Sequence, residues 1–252
     1  DRHSEADVIH LIAEATKMAY AARDALFCDP KYVDVPVDYL LSDERAEWAR
    51  GRIELDQASQ FNSWNGVGVE HSDTTYLCVV DRDGNAISFI NSIFKSFGSC
   101  IMAPDSGVIL HNRGLSFRVD PDHPNRIEPG KRPMHTIIPG MAMKDGKAVL
   151  PFGVMGGHYQ STGHTSLLTN MFCFGMDPQQ ANEAPRHFCF DGELALEPRI
   201  SENVAEDLRA RGHNVTRTSS PHGGCQAIYI DDENGVLVGG SDPRKDGMAL
   251  GY

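Results

Sequence analysis

Three times in this sequence an apolar, β-rich run is followed by Asp-Gly or Asn-Gly and then by a second such run. The first is Thr75–Val80, Asp83-Gly84, Ala86–Ile93. The second is Met141–Lys144, Asp145-Gly146, Ala148–Phe152, and the third is Ala227–Asp231, Asn234-Gly235, Val236–Gly239. Tight hairpin turns need backbone angles that Gly, Asn and Asp tolerate, so this pattern is the strongest short-range hairpin signal. Three hairpins predict a largely antiparallel sheet.

Helical signals are interleaved with the hairpins. Ser4 and Asp7 have capping-box spacing, and Val8, Leu11, Ile12, Ala15, Met18, Ala19, Ala22 and Leu26 follow a 3.6-residue period. Asp29-Pro30 ends that helix. Further helices are predicted over Ser42–Arg50, His158–Phe174, Pro178–Glu183 and Ser201–Arg211, the last stopped by Gly212. Gly51–Asp73 is polar and aperiodic and reads as a long linker. Hairpins and helices in separate blocks point to an α+β sandwich.

Length and charge bound the function. The chain has 252 residues, enough for one substantial core or one domain with an extension. Its net charge of −12 argues against nucleic-acid binding, because phosphates need neutralising. No apolar run reaches membrane-spanning length. Six irregularly spaced cysteines, none in C-x-x-C, argue against a disulfide framework and favour a reducing, cytoplasmic setting over a periplasmic or secreted one. The chain opens at Asp1 almost inside a helical pattern, so it reads as a piece of a longer polypeptide.

The common catalytic signatures H-E-x-x-H, Walker loop, G-x-G-x-x-G and G-x-S-x-G are absent. Ser92-Ile93-Phe94-Lys95 matches S-x-x-K without its companion motifs. His187 and Cys189 share one face of a probable strand, which reads as a core Cys beside a surface or hydrogen-bonded His; no metal and no cofactor is expected. His222-Gly223-Gly224 reads as a turn before the strand at Ala227. Two features carry more chemistry. Asp73-Thr74-Thr75 joins the polar linker to the first strand. Val154-Met155-Gly156-Gly157-His158 sets a glycine pair between a strand and a helix, where backbone N–H groups can approach an anionic ligand.

Taken together, these segments resemble the γ-glutamyltranspeptidase family. TTYLCVVDRDGNAISFINSIFKSFGSCI is similar to the start of that family's small subunit. GKRPMHTIIP resembles its lysine-arginine-proline segment, GVMGGHY its glycine-pair segment and GGSDPRKDGMALGY its C-terminus. EADVIHLIAEATKMAYAARDALFCDPKYVDVPVDYLLS is similar to the last helices of its large subunit. The resemblance covers nearly the whole chain, with 1–73 as the end of the large subunit and 74–252 as the small, catalytic subunit. It implies an N-terminal-nucleophile hydrolase with an αββα sandwich, part of which lies in the missing large-subunit remainder. It also implies self-cleavage between Asp73 and Thr74, with the freed Thr74 as nucleophile. By the same resemblance Ser92 hydrogen-bonds the nucleophile, and Gly156 and Gly157 form an oxyanion hole. The expected substrates are small γ-glutamyl compounds such as glutathione, acted on by hydrolysis or by transfer to an acceptor amine.

Substrate recognition departs from the family pattern. After a strand expected at Val108–Leu110, the positions that would hold the substrate's α-amino group are Arg113 and Ser116. A cation about 4 Å from an ammonium costs roughly 1 to 4 kcal/mol. The two serines expected at the α-carboxylate are His135 and Thr136, and an Asn near the substrate is Phe94. These exchanges raise a second expectation, an acidic amide without the α-ammonium, of glutaryl or oxamate type, with Arg113 on its carboxylate. Arg113 pointing to solvent or making a structural ion pair is the plainer alternative. A third reading is an unprocessed, inactive fragment.

Overall fold

The computed structural model describes residues 3–60 and 73–251. Residues 61–72, most of the expected linker, lie outside the described residues. In chain order the elements are α1 (Glu5–Leu26), α2 (Val37–Leu40), α3 (Asp43–Arg50), β1 (Asp73–Val80), β2 (Ala86–Phe94), β3 (Gly140–Lys144) and β4 (Lys147–Met155). They continue with α4 (Gln160–Phe172), α5 (Pro178–Glu183), β5 (His187–Phe190), β6 (Glu193–Leu196), α6 (Glu202–Ala210), β7 (Val215–Arg217), β8 (Gly224–Asp231) and β9 (Val236–Ser241). The described residues fall into two compact units. One lies within 1–68, 113–135 and 187–219, and the other within 69–112, 136–186 and 220–252. Among the described residues no helix is long and apolar enough to cross a membrane.

In the first unit, α1 starts at a reciprocal capping box: Ser4 N–H donates to Asp7 and Asp7 N–H donates to Ser4 Oγ. Its buried row differs from the apolar row read from the sequence. Ala6, Ile9 and Ala13 meet Leu194, Leu196, Ile200, Ala205 and Leu208 in the core, whereas Val8, Leu11 and Ile12 are half-buried and Ala15 and Ala19 exposed. The row was misplaced because two polar residues share the buried face and are satisfied there. His10 Nδ1 lies 2.8 Å from His213 Nε2, and Glu14 holds Lys17 at 2.7 Å. The same group pins the chain after α3. His10 Nε2 meets the Glu54 carbonyl, Ser59 N–H donates to Glu14, and Lys17 donates to the Ser59 carbonyl. Residues 54–59 of the expected linker are thus anchored.

A fourth hairpin, β5–β6, which the sequence reading did not predict, turns at Asp191-Gly192. Both turn residues have positive φ, 52° and 79°, as a two-residue turn demands. β7 joins β6 in parallel, an exception to the antiparallel expectation made possible by the crossover through α6.

The second unit is layered. β3-β4-β8-β9 form an antiparallel sheet, and β1–β2 form a separate antiparallel pair. Alternation along β4 decides which layer meets which face. The Tyr76 ring covers Gly153, where a side chain would collide with it, and Ser88 donates to the Phe152 carbonyl at 3.2 Å. One residue further on, Val154 faces α4 at Gly163, where an added Cβ would sit 2.6 Å from Val154 Cγ1. β1–β2 therefore cover one face of the sheet and α4 the other. The outer face of β1–β2 is open and apolar. Leu77 pairs with Phe89 and Val79 with Ile87, and all four are 44–49% exposed. The strand expected at Val108–Leu110 is not formed; a single bridge, Met102 to Ile109, stands there. Ala103 N–H donates to the Val108 carbonyl and Leu110 N–H to the Ile101 carbonyl around that bridge, and Pro104, which has no N–H, follows directly.

Beyond the end of β3, the Val154 N–H donates instead to His164 Nε2 at 3.1 Å on α4. Burial holds the His164 pKa down to about 4. The unfolded value is near 6.5, so the unfolded chain takes up a proton that the native state refuses as pH falls from about 6.5 to 4. Stability is unaffected above that window and falls through it, by up to about 3 kcal/mol. His213, also buried with its pKa near 4, adds to the slope. Urea midpoints measured from pH 7 to 4 should fall less steeply for His164→Gln, which keeps an acceptor but does not titrate. Identical slopes would refute this role.

Candidate active site

Thr74 sits at the second position of β1, where the pairing with β2 slips by one residue. Asp73 opposes Phe94, Thr74 opposes Ser92, and Ile93 is left over as a bulge. The bulge brings the two hydroxyls together, with Thr74 Oγ1 3.0 Å from Ser92 Oγ. Phe94 N–H donates to the same Ser92 oxygen at 3.1 Å. Phe94 is buried with φ of 78°, a left-handed backbone that is a real outlier for a bulky residue. Asn112 fixes this conformation. It accepts from Lys95 N–H, donates to the Gly98 carbonyl, and its own N–H donates to the Ile93 carbonyl. Nothing in the sequence pointed to Asn112, because its partners are brought to it only by the loop's return.

The glycine pair follows β4 in the same unit. Gly156 (φ 127°) and Gly157 (φ 58°) take backbone angles that other residues resist. The Gly156 carbonyl accepts from Tyr159 N–H, closing a 3-10 turn over Gly157–Tyr159 that leads into α4. Neither glycine N–H donates to an acceptor among the described residues. Two free donors at a helix start are suited to a developing negative charge. Tyr76, two residues after Thr74, lies on Gly153, three residues before Gly156, so the strands carrying these groups are in contact. Thr136 belongs to this unit and is buried.

Arg113, Ser116 and His135 belong to the first unit. Arg113 and Ser116 form a 3-10 turn, and both are buried, at 2% and 6% exposure. The solvent-facing alternative for Arg113 is therefore wrong. Burial lowers its pKa by desolvating the charged form. Ser116 Oγ is buried without a hydrogen-bond partner among the described residues. Asn125 ties this turn to the next segment, donating to the Ser116 carbonyl at 2.6 Å and accepting from Met134 N–H at 3.2 Å. His135 is exposed and lines a pocket of about 320 Å³ with Phe27, Cys28, Asp29 and Arg132.

Other nucleophile and metal candidates fit less well. Burial pushes the thiols of Cys78 and Cys189 up to about 11 and that of Cys225 to about 12, so they stay protonated and unreactive near neutral pH. His187 is buried beside Cys189, not at the surface. The described residues that could approach a metal are His10, Glu14 and His213, with ligand atoms within 4.8 Å of one another, a cluster the sequence spacing hid. Both His10 nitrogens already have partners and Lys17 sits on Glu14, so the cluster is satisfied as an anchor.

The gamma-glutamyltranspeptidase family model matches residues 1–252. The glutathione hydrolase-like YwrD proenzyme of Bacillus subtilis is 37% identical over 261 residues, covering 99% of this chain and 48% of the relative. The oxamate amidohydrolase proenzyme of Klebsiella pneumoniae is 37% identical over 256 residues, covering 98% of this chain and 48% of the relative. The crystal structure of cephalosporin acylase from Bacillus halodurans superposes with a TM-score of 0.88 at 37% identity, covering all of this chain and 47% of that one. The chain spans about half the length of the curated relatives it matches. With a family model over its full length and relatives of this similarity, the chain belongs to the gamma-glutamyltranspeptidase family.

Proposed function

We propose that this chain is the catalytic half of a self-cleaving amidohydrolase and acyltransferase of the N-terminal-nucleophile class. The observation that carries the reading is the Thr74–Ser92 hydroxyl pair at 3.0 Å, in the same unit as two glycine N–H groups with no acceptor among the described residues. In the uncut chain the Thr74 nitrogen is an amide and cannot accept a proton. Scission of the Asp73–Thr74 bond frees an amine with a reference pKa of about 7.7–8.0. That amine takes the proton from Thr74 Oγ1, whose oxygen attacks the carbonyl carbon of a γ-glutamyl amide. Gly156 and Gly157 N–H groups hold the resulting oxyanion. Collapse returns the proton to the leaving amine and leaves an ester on Thr74. Water, or an acceptor amine, then attacks that ester and restores the hydroxyl. Ser92, fixed by the Phe94 N–H, donates to the Thr74 oxygen throughout.

In this reading 1–73 ends the large subunit and 74–252 is the small subunit. The facing sheets with α4 on one side are three layers of an αββα sandwich. The fourth layer and the upstream remainder of the large subunit would cover the open apolar face at Leu77, Val79, Ile87 and Phe89. Intact mass of the full-length protein tests the reading: two fragments are expected, the smaller starting at Thr74, and a chain that never splits rejects it.

A second reading concerns the acyl group. Arg113 stands at the sequence position that the family resemblance gives to α-ammonium recognition; it is a buried cation, and Ser116 in the same turn has a hydroxyl without a hydrogen-bond partner among the described residues. This favours an acidic acyl group without the ammonium, glutaryl or oxamate in type, paired with Arg113. Glutaryl and γ-glutamyl anilides should be compared side by side. The glutaryl compound is expected to be preferred, and Arg113→Met should lower its kcat/KM by about 100-fold, the scale of losing a buried charge-assisted contact. A clear preference for the γ-glutamyl anilide defeats this second reading.

A further inference from the structure

We infer that Asp242 and Arg186 position the glycine pair from behind, acting through the turn at His222–Gly224. The inference rests on the hydrolytic reading above and adds to it two residues that need not touch substrate.

Asp242 is 1% exposed, so its charge has to be matched inside the protein. One carboxylate oxygen accepts from Cys225 N–H at 2.9 Å and from Arg186 Nη2 at 2.5 Å. The other accepts from Arg244 N–H at 2.9 Å and lies 3.3 Å from Arg244 Nη1. Arg186 then carries the contact onward, since its Nη1 donates to the His222 carbonyl at 2.8 Å. A planar guanidinium held on one side by a carboxylate fixes the carbonyl on its other side, in a way that a flexible ammonium would not.

The turn so fixed has no slack against the glycine pair. A Cβ on Gly223 would collide with the Met155 carbonyl and lie 2.8 Å from Tyr159 Cδ1. A Cβ on Gly156 would lie 2.9 Å from Gly223 Cα. The His222 ring stacks on Tyr159, with centroids 5.4 Å apart and planes 24° from parallel. Gly224 pairs with Met155 in the sheet. Two glycine turns, distant in sequence, are thus pressed backbone to backbone. A shift of the His222 carbonyl is passed to Gly223 and from there to Gly156. The His222-Gly223-Gly224 motif is more than a lead-in to β8: it is the wall behind Gly156.

The test uses full-length protein with Asp242→Asn and Arg186→Lys beside wild type. Three quantities are measured: amide hydrogen exchange of the peptide Met155–Gln160, kcat and KM on an anilide substrate, and the thermal midpoint. For Asp242→Asn, kcat should fall about 10- to 100-fold with KM within about 3-fold, as expected for misplaced rather than missing groups. Exchange at Met155–Gln160 should quicken about 10-fold while β1–β2 keeps its protection. Arg186→Lys keeps the charge and should lie between the two. It also serves as the informative variant if Asp242→Asn does not fold. Unchanged kcat and unchanged exchange overturn the inference, and so does loosening spread evenly over the molecule. Wild type that turns over no anilide would instead reject the hydrolytic reading, and the exchange arm would still judge the coupling.

Discussion

If the proposed function holds, Thr74→Ala should leave the full-length protein uncut, with no fragment beginning at residue 74 and hydrolytic activity down by about 10³-fold or more. In the proposed mechanism cleavage and turnover fail together because both need the same oxygen. Before scission that oxygen must attack the Asp73 carbonyl; afterwards it must attack substrate. Thr74→Ser separates chemistry from positioning. It keeps the hydroxyl but loses the methyl that restricts χ1 on a strand, so the hydroxyl spends less time 3.0 Å from Ser92. Cleavage and turnover should each slow about 10-fold. Intact mass and N-terminal sequencing read the first effect, and initial rates read the second. An alanine variant that still splits between residues 73 and 74 sinks the proposed function.

Gly156→Ala should lower kcat by about 10²- to 10³-fold with little change in KM, the loss typical of a displaced oxyanion donor and worth about 3–4 kcal/mol. The backbone there has φ 127° and ψ 27°, which an L side chain resists. The added methyl would also press on Gly223 Cα at 2.9 Å. Under the proposed mechanism both effects would turn the N–H away from the oxyanion. Gly175→Ala is a useful control for generic glycine loss, since it too has positive φ, 69°, but has open space around it. It should cost stability without a comparable fall in kcat. If Gly156→Ala keeps kcat within about 3-fold, the pair is only a tight turn.

How much of this was legible beforehand varies with the range of the interaction involved. The capping box at Ser4 and Asp7 was readable because its partners lie three residues apart. The Ser42 cap of α3 was readable for the same reason. So were the hairpins at Asp83-Gly84, Asp145-Gly146 and Asn234-Gly235, each a local turn demand. The fourth, at Asp191-Gly192, carries the same turn signal, but its strands of four residues each are too short to show a period. The face of α1 was misread because a helical period counts apolar residues, while His10 and Glu14 are buried by partners at His213 and Ser59. The family resemblance named Thr74, Ser92, Gly156 and Gly157 but was silent on Asn112, Arg186 and Asp242.

By itself, then, the sequence determined the turns, the caps and the strand-to-helix glycine pair, because each follows from forces acting within a few residues. Only the tertiary structure decided that a one-residue slip turns Ser92 onto Thr74, that Arg113 is desolvated, and that Gly223 stands against Gly156. Register and burial are settled by which distant segments pack together, and a period or a propensity along the chain holds no information about that.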